Sequence, residues 1–137
     1  MSFNILLVDD DALVRESIRR VLEYNKLKVT TVCCINDAKE VLGKCEFSAL
    51  ISDVHMPDGT GVELHEWVAE HCPYLSRKFI FCSGGMSSEL EAYISKSGCR
   101  LFNKPIDWNA LVEAIHAVRP SSSPKLIASD GVTTRGL

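Results

Sequence analysis

Short runs of apolar residues alternate along this chain with longer segments in which apolar residues recur every three or four positions. Runs of the first kind are typical of β-strands and segments of the second kind of amphipathic helices, so the pattern predicts five successive strand–helix units. The five predicted strands are Phe3–Val8, Lys28–Val32, Phe47–Ser52, Lys78–Cys82 and Cys99–Asn103. The first, third and fourth are apolar enough to be buried on both faces, which indicates a parallel sheet with helices on both sides.

The first predicted helix begins near Asp11, whose carboxylate we interpret as a helix N-cap rather than a metal ligand. The periodicity of this segment is that of an ordinary amphipathic helix packed on a sheet. Its predicted core side consists of Leu13, Val14, Ile18, Val21 and Leu22, and its predicted solvent side of Arg15, Glu16, Arg19, Arg20 and Glu23.

The later helices carry start and stop signals of their own. In the third helix, Trp67 and Val68 are expected to be buried. In chain order the signals are a cap at Asn36 or Asp37 for the second helix, the range Gly61–His71 with Pro73 after it for the third, a capping box of Ser88 with Glu91 and a stop at Gly98 for the fourth, and a cap at Asp107 for the fifth.

Composition limits the number of domains. The 137 residues, 46% of them hydrophobic, are enough for one domain with a substantial core. After Arg119 the sequence becomes rich in Ser, Pro, Gly and Thr and loses its periodicity. We therefore predict one folded domain over residues 1–119 and a flexible tail or linker over residues 120–137.

Charge and the N-terminal segment narrow the function classes. The formal net charge is −3, from 18 acidic and 15 basic residues, and no basic stripe is present. Direct binding to nucleic acid is therefore not expected. The segment MSFNILLVDDD has no basic leader, and its apolar run is too short for a signal peptide or a membrane span. We expect a cytoplasmic protein that does not enter the membrane.

The six cysteines form no CxxC pair and show no Cys/His spacing typical of zinc. Several lie in or beside apolar segments, where a free cysteine behaves as a small hydrophobic residue. We interpret the cysteines as packing residues, and a redox function for the adjacent Cys33 and Cys34 stays open.

Polar residues whose side chains can react or bind a metal follow four of the predicted strands. Asp9 and Asp10 come after the first strand, Asp53 after the third, Ser83 after the fourth and Lys104 after the fifth. Because the carboxyl ends of parallel strands meet at one edge of a sheet, these residues are expected to form one cluster. Three carboxylates at close range repel one another unless protons or a cation offset their charge.

A hard divalent cation suits this cluster. Carboxylate oxygens with a backbone carbonyl and waters are typical ligands of Mg²⁺, whereas zinc prefers thiol or imidazole groups. Lys104 adds a mobile positive charge, and Ser83 adds a hydroxyl that can donate to an anionic oxygen. Because an aspartate carboxylate can attack phosphorus to form an acyl phosphate, the set predicts a phosphoryl-accepting site.

With these residues, the chain resembles the receiver domains of two-component response regulators, from about Asn4 to Val118. The resemblance rests on four motifs in the family's order and spacing: VDDD, SDVHMPDGTG, FCSGG and NKPID. It implies a flavodoxin-like, doubly wound α/β fold, with one five-stranded parallel sheet of strand order 2-1-3-4-5 and five helices.

The resemblance also implies roles for the site residues. Asp53 would be phosphorylated, with Mg²⁺ held by Asp9, Asp10, Asp53 and the backbone carbonyl of His55. Ser83 would hydrogen-bond the phosphoryl group, and Lys104 would pair with one of its oxygens. The domain would catalyse its own phosphorylation and dephosphorylation rather than act as an enzyme on another substrate.

The partners implied by the resemblance belong to a phosphorelay of the bacterial type. The phosphoryl donor would be the phosphohistidine of a sensor histidine kinase or of a histidine phosphotransfer protein, whose helix would dock near the first helix. Phosphorylation would alter an interaction face made of the fourth helix, the fifth strand and the fifth helix, through which a homodimer is one expected outcome. A downstream effector is implied without being identified.

Three positions near the site bear on mechanism. The family carries an aromatic residue three positions before the lysine, where this chain has Leu101, and strand alternation points the nearby Phe102 to the opposite face. Without that aromatic residue, the GGMSS loop after Ser83 is the alternative element that would move on phosphorylation.

His55 and Gly85 occupy positions that tune the lifetime of the phosphate in the family, and Pro105 matches a proline that usually follows a cis bond. The other histidines, interpreted as surface or packing residues, are His65, His71 and His116.

Two other functions compete with this one. An aspartate-based phosphohydrolase would use Asp9 as its nucleophile, but the chain has no room for a cap domain and SDVHMPDGTG would have no role. A degenerate receiver that serves only as a binding module is the other, and it is disfavoured because every residue that the chemistry needs is present.

Overall fold

A computed structural model describes residues 3–118, so the predicted tail over residues 120–137 lies outside the described residues. Within the described range, no helix is both long and apolar enough to cross a membrane. The elements, in chain order, are β1 Asn4–Val8, α1 Ala12–Tyr24, β2 Lys28–Val32, α2 Ile35–Leu42, β3 Ala49–Asp53, β4 His55–Met56, β5 Gly59–Thr60, α3 Gly61–His71, α4 Pro73–Ser76, β6 Phe79–Ser83, α5 Ser88–Ser97, β7 Arg100–Asn103 and α6 Trp108–Val118.

The five longer strands form one parallel sheet in the order β2-β1-β3-β6-β7. When the two-residue strands β4 and β5 are left out of the numbering, this is the predicted order 2-1-3-4-5, and the flavodoxin-like α/β fold is confirmed. The three central strands, β1, β3 and β6, are almost wholly buried, as their continuous apolar runs predicted. The strand that precedes the acidic pair, β1, is therefore internal to the sheet and lies beside β3.

Alternate residues of the central strands feed two separate cores. On one face, Ile5 and Leu7 of β1 pack with residues of α1 and α6, such as Ile18 and Leu111. On the other face, the residues between them pack with α2, α3 and α5. Full burial of one such aliphatic side chain stabilises the fold by about 1.5–3 kcal/mol, so the two layers together hold the sheet edge in place.

Two short elements were not predicted. The strands β4 and β5 pair as an antiparallel hairpin directly after β3, and α4 is a single turn that begins at Pro73. Elements of two to four residues are too short to show a hydrophobic period, so the sequence pattern does not reveal them. The hairpin shapes the path of the chain beside the predicted acceptor.

Two predicted helix starts are wrong. Cys34, rather than Asn36 or Asp37, is the N-cap residue of α2, and Asp58 from the β4–β5 turn accepts hydrogen bonds from the amides of Ile35 and Asn36 at 3.0 and 2.9 Å. Asp58 thus adds a second cap from more than 20 positions along the chain, which local sequence rules cannot find.

The fourth predicted helix begins one residue earlier than expected. Ser87, not Ser88, caps α5 by accepting a bond from the Leu90 amide, so the predicted box with Glu91 is absent from this helix. A capping box does occur at the start of α3, between Thr60 and Glu63. Predicted caps at Asp11 and Asp107 and the stop at Gly98 are confirmed.

The predicted inward face of α1 is wrong at its first residue. Leu13 is 82% exposed, whereas Ile18 and Leu22 are buried and Val14 and Val21 are half-buried. Leu13 lies in the first turn of the helix, which begins at Ala12, and the fully buried residues of α1 lie further along it. On the third helix Val68 is buried as predicted, but Trp67 is only half-buried.

Candidate functional site

The predicted cluster forms at the carboxyl edge of the sheet. Asp9 follows β1, Asp53 ends β3, Ser83 ends β6 and Lys104 follows β7. The Lys104 Nζ atom lies 3.1 Å from Asp9 Oδ2 and 3.2 Å from Asp53 Oδ2. Both carboxylates are buried, so one ammonium group bridges two acids that are shielded from water.

A third carboxylate completes the cluster. One oxygen from each of Asp9, Asp10 and Asp53 lies within 4.8 Å of the others, with Asp10 exposed at the mouth. The donor set consists of hard oxygen atoms, and the single lysine does not neutralise three acids. Such a set fits a hard divalent cation of the Mg²⁺ type and is unsuited to soft metals.

The first acid of the pair is held from two sides. The Asp11 amide donates to Asp9 Oδ1 at 2.9 Å, and Arg15 Nη1 donates to the backbone carbonyl of Asp9 at 2.8 Å. Sequence periodicity placed Arg15 on the solvent side, but it is half-buried and fixes the backbone beside the acidic cluster. The pattern could not reveal this contact because a long arginine side chain reaches beyond its own helix face.

The charges at this edge perturb one another. Burial is the largest influence on Asp9 and raises its pKa, although the Asp11 amide and the Lys104 charge oppose the shift. Burial lowers the pKa of Lys104, but the charges of Asp9 and Asp53 raise it by more, so its net shift is upward. Lys104 therefore stays positively charged across the physiological pH range, and burial of the negative Asp9 is unfavourable without further positive charge.

The chain leaves Asp53 by a tightly closed turn. The Val54 amide donates to the Cys82 carbonyl at 3.0 Å, and the Gly61 amide donates back to the Val54 carbonyl at 2.7 Å. A Cβ atom at Gly61 would lie 2.5 Å from the Asp53 carbonyl oxygen, so only glycine fits this close approach. The turn thus returns the chain into α3 without covering the carboxylate.

The hydroxyl of Ser83 is engaged by its own loop. Ser83 Oγ lies 2.9 Å from both the amide nitrogen and the carbonyl oxygen of Gly85. The same carbonyl lies 3.0 Å from Nε2 of His55, the second residue after Asp53. The loop after β6 and the loop after β3 are therefore joined through the carbonyl of Gly85.

The segment around Lys104 matches the expectations from the sequence. The Lys104–Pro105 peptide bond is cis, and the Lys104 amide donates to the Ser83 carbonyl at 2.8 Å. Leu101 and Phe102 belong to the two different cores, so no ring from β7 enters the core on the Leu101 side. Strand alternation had indicated this arrangement.

A groove beside the cluster was not predicted. It has a volume of about 260 Å³ and is mostly apolar, and it runs between the start of α1 and the β7–α6 connection. The exposed Leu13 contributes to it, as does Trp108, which is 37% exposed. The lining residues are Leu13, Val14, Ser17, Lys104, Pro105, Ile106 and Trp108.

One histidine differs from the other two that were predicted as surface or packing residues. His65 is buried, with Nδ1 2.8 Å from the Tyr93 hydroxyl and Nε2 3.0 Å from the Ser76 carbonyl. His71 and His116 are exposed. The signal for His65 was present in the sequence, because it lies three residues from both Val62 and Val68 on the buried face of α3.

Comparison with known proteins agrees with the fold. Residues 5–116 match the family model described as "Response regulator receiver domain". The chain is 28% identical over 111 residues to the response regulator protein PilR of Pseudomonas aeruginosa, covering 80% of this chain and 24% of PilR. It is 34% identical over 85 residues to the hydrogenase transcriptional regulatory protein HoxA of Cupriavidus necator, covering 62% of this chain and 17% of HoxA.

A solved structure shows the same architecture. The CheY-like response regulator receiver domain protein of Methanospirillum hungatei superposes with a TM-score of 0.79 at 25% identity, covering 85% of this chain and 93% of that one. The chain spans 24% of the length of PilR and 17% of the length of HoxA, so the likeness to these two regulators concerns one part of each. Since the family model covers most of the chain and the fold agrees with it, this chain belongs to the response regulator receiver domain family.

Proposed function

We propose that Asp53 accepts a phosphoryl group from a phosphohistidine in a two-component phosphorelay. The observation that carries the proposal is the Asp53 carboxylate at the sheet edge, with Lys104 Nζ at 3.2 Å and the carboxylates of Asp9 and Asp10 beside it. A nucleophilic acid, a fixed cation and a hard-metal donor set are the groups that phosphoryl transfer needs.

In the proposed transfer, a carboxylate oxygen of Asp53 attacks phosphorus. The new P–O bond forms as the P–N bond of the donor breaks, and its electron pair stays on the imidazole nitrogen. Lys104 needs little movement to meet a phosphoryl oxygen, because it already lies beside the acceptor. Water then hydrolyses the acyl phosphate, so the domain promotes both its own phosphorylation and its own dephosphorylation.

The residues that would hold Mg²⁺ are Asp9, Asp10 and Asp53, with the backbone carbonyl of His55 as a further ligand. Bound there, the ion would supply positive charge to the phosphoryl oxygens. The fit rests on the three converging oxygens and on the excess of acids over the one lysine.

The switch that we propose is the loop after β6. To reach a phosphoryl group on Asp53, the Ser83 hydroxyl must leave its contacts with Gly85, and the Gly85 carbonyl is also joined to His55. Release of these bonds would move the start of α5 and change the face made of α5, β7 and α6, which is the proposed surface for an effector or a second copy. Because Leu101 is aliphatic, the ring movement usual in the family is not available at this position.

The donor protein is proposed to dock in the groove between α1 and the β7–α6 connection. Leu13 and Trp108 are exposed apolar residues beside Lys104, and an apolar helix face of a histidine kinase or phosphotransfer protein would cover both. Docking at this place would bring a phosphohistidine to the open side of Asp53. The cytoplasm stays the predicted compartment for this exchange.

Intact-mass measurement after incubation with acetyl phosphate and Mg²⁺ tests the proposal. The wild-type chain is expected to gain one phosphoryl group, about 80 Da, which disappears in Asp53→Asn and with a chelator. An adduct that survives in Asp53→Asn but is lost in Asp9→Asn would instead support the phosphohydrolase chemistry. If acetyl phosphate does not modify the wild-type chain and no beryllofluoride complex forms, the domain is a binding module only.

A further inference from the structure

A second group of ligand atoms lies at the start of α2, away from the predicted acceptor. We propose that Cys33, Cys34 and Asp37 bind a thiophilic divalent cation such as Zn²⁺. One ligand atom from each residue, two thiol sulfurs and a carboxylate oxygen, lies within 4.8 Å of the others. The only other cluster of this kind among residues 3–118 is the acidic one already described.

Local structure brings the three side chains together. β2 ends at Val32, and Cys34 has the extended backbone of an N-cap residue, so the helix starts directly after the two thiols. Asp37 is the third residue after the cap and lies on the first turn of α2. Its amide donates to Cys34 Sγ at 3.5 Å, and the Cys33 thiol lies 3.9 Å from its carboxylate. The three ligand atoms are thus already within 4.8 Å of one another.

The chemistry of these atoms favours a borderline-soft metal. Thiolates select zinc-like cations, and a carboxylate is an accepted third ligand, with Zn–S distances of about 2.3 Å and Zn–O distances of about 2.0–2.2 Å. Cys33 and Asp37 are exposed, so small side-chain rotations can close the site and an ion can enter from solvent. Three protein ligands would leave one position for water.

The surrounding charge supports a cation at this place. Two carboxylates lie at the start of α2: an oxygen of Asp37 is within 4.8 Å of the Cys34 sulfur, and Asp58 bonds the amides of Ile35 and Asn36. Negative charge at this place favours a positive ion. Asp58 itself is occupied by the amides of Ile35 and Asn36, which leaves Asp37 as the carboxylate available to the metal.

This second site differs in kind from the acidic cluster. Asp9, Asp10 and Asp53 present oxygen atoms only, whereas the start of α2 presents two sulfur atoms. Oxygen ligands suit Mg²⁺ and sulfur ligands suit Zn²⁺ or Co²⁺, so the two sites are expected to take different ions at the same time. The spacing of the cysteines did not suggest a metal site, because two adjacent cysteines with an aspartate match none of the usual zinc patterns.

Titration of the reduced chain with Co²⁺ in excess Mg²⁺ tests the proposal, because Mg²⁺ fills the acidic cluster without occupying a thiol site. We expect one equivalent of Co²⁺ to produce thiolate-to-metal charge-transfer absorption, and Zn²⁺ to displace it. Loss of a partner outside the ligand shell costs about 10–100-fold in metal affinity. Cys33→Ser or Cys34→Ser is therefore expected to weaken binding at least about 100-fold, and Asp37→Asn to weaken it less.

The chain offers matched controls. Cys45→Ser removes an exposed thiol elsewhere and should leave the absorption unchanged. Cys34→Ser replaces one N-cap residue by a better one, so circular dichroism should show an intact fold when the metal is lost. Absence of the charge-transfer absorption in the wild-type chain overturns the proposal. Absorption that persists in Cys33→Ser, or that depends equally on Cys45, also overturns it.

Discussion

Two regions of this domain bury polar side chains, and they do so in opposite ways. At the sheet edge, Asp9 and Asp53 are buried with Lys104 as their shared cation, and acidic charge remains in excess. Between α3 and α5, the buried His65 has two neutral groups as its hydrogen-bond partners, the Tyr93 hydroxyl and the Ser76 carbonyl. Burial of polar groups therefore does not by itself mark a functional site, whereas unbalanced buried charge does.

The neutral region, which consists of His65, Tyr93 and Ser76, holds neighbouring elements together. His65 Nε2 lies 3.0 Å from the Ser76 carbonyl, to which it donates, and Nδ1 lies 2.8 Å from the Tyr93 hydroxyl. The ring also contacts Phe79 edge to face, at 4.9 Å between centroids. These contacts tie α3 to the turn after it and to α5, so removal of the histidine should affect stability rather than chemistry.

The largest expected effect comes from the acidic region. Asp53→Asn should abolish phosphorylation by acetyl phosphate while the fold remains as stable as the wild type, because the substitution removes a buried charge and keeps the shape. Intact mass tests the loss of phosphorylation, and urea denaturation of the same preparation tests the unchanged stability. A large loss of stability in this variant would mean that the two regions do not differ as described.

The second effect is expected in the neutral region. His65→Ala should lower the free energy of unfolding by about 2–3 kcal/mol, because it leaves a cavity and removes the partners of Tyr93 and Ser76. His71→Ala, on the exposed side of the same helix, should change it by less than about 0.5 kcal/mol. Urea denaturation measures both variants, and phosphorylation of folded His65→Ala should persist. If that variant folds with wild-type stability but loses phosphorylation, the histidine belongs to the site.

The substitution Asp9→Asn is expected to change the free energy of unfolding by less than His65→Ala does, and in the opposite direction. Since the folded state raises the pKa of this carboxyl above 3.8, its ionised form destabilises the fold at neutral pH. Without Mg²⁺, Asp9→Asn should stabilise the chain by on the order of 1 kcal/mol near pH 7. The difference should shrink as the pH falls through the raised pKa and vanish below 3.8, because the wild-type carboxyl is then protonated in both states. Thermal unfolding across this pH range gives the measurement, and a pH-independent difference would contradict it.

The smallest effect on stability is expected at the groove. Leu13→Ala should change the free energy of unfolding by less than about 0.5 kcal/mol, because Leu13 is 82% exposed. It should nevertheless slow phosphotransfer from a histidine phosphotransfer protein by about tenfold, and leave the rate with acetyl phosphate unchanged. Tyr24→Ala is the matched control, since Tyr24 is 87% exposed at the other end of α1. Equal effects of Leu13→Ala on both donors would place its role in the chemistry rather than in docking.

The sequence was sufficient for features that depend on period and strand order. The apolar runs predicted five strands, and the parallel arrangement then brought Asp9, Asp53, Ser83 and Lys104 to one edge, as the structure shows. Strand ends were less well predicted, because Asp53 and Ser83 are the last residues of β3 and β6 rather than loop residues. Hydrophobic pattern does not report where backbone pairing stops.

Features that depend on distant contacts could not be predicted. Periodicity placed Leu13 in the core, but exposure at a helix end depends on what lies beneath it. The cap supplied by Asp58 and the partners of His65 come from residues far along the chain, and no local rule contains them. The approach of Cys33 and Cys34 to Asp37 likewise became visible only when the start of α2 was located.

The cap of α2 also bears on the order in which the chain is made. Asp58 bonds to amides 22 and 23 residues before it, so α2 leaves the ribosome before its terminal hydrogen-bond acceptor has been synthesised. A nascent chain that ends before the β4–β5 turn would therefore carry a helix whose first two amides have only water as their acceptor. Full capping of this helix is thus coupled to the arrival of the segment that follows Asp53.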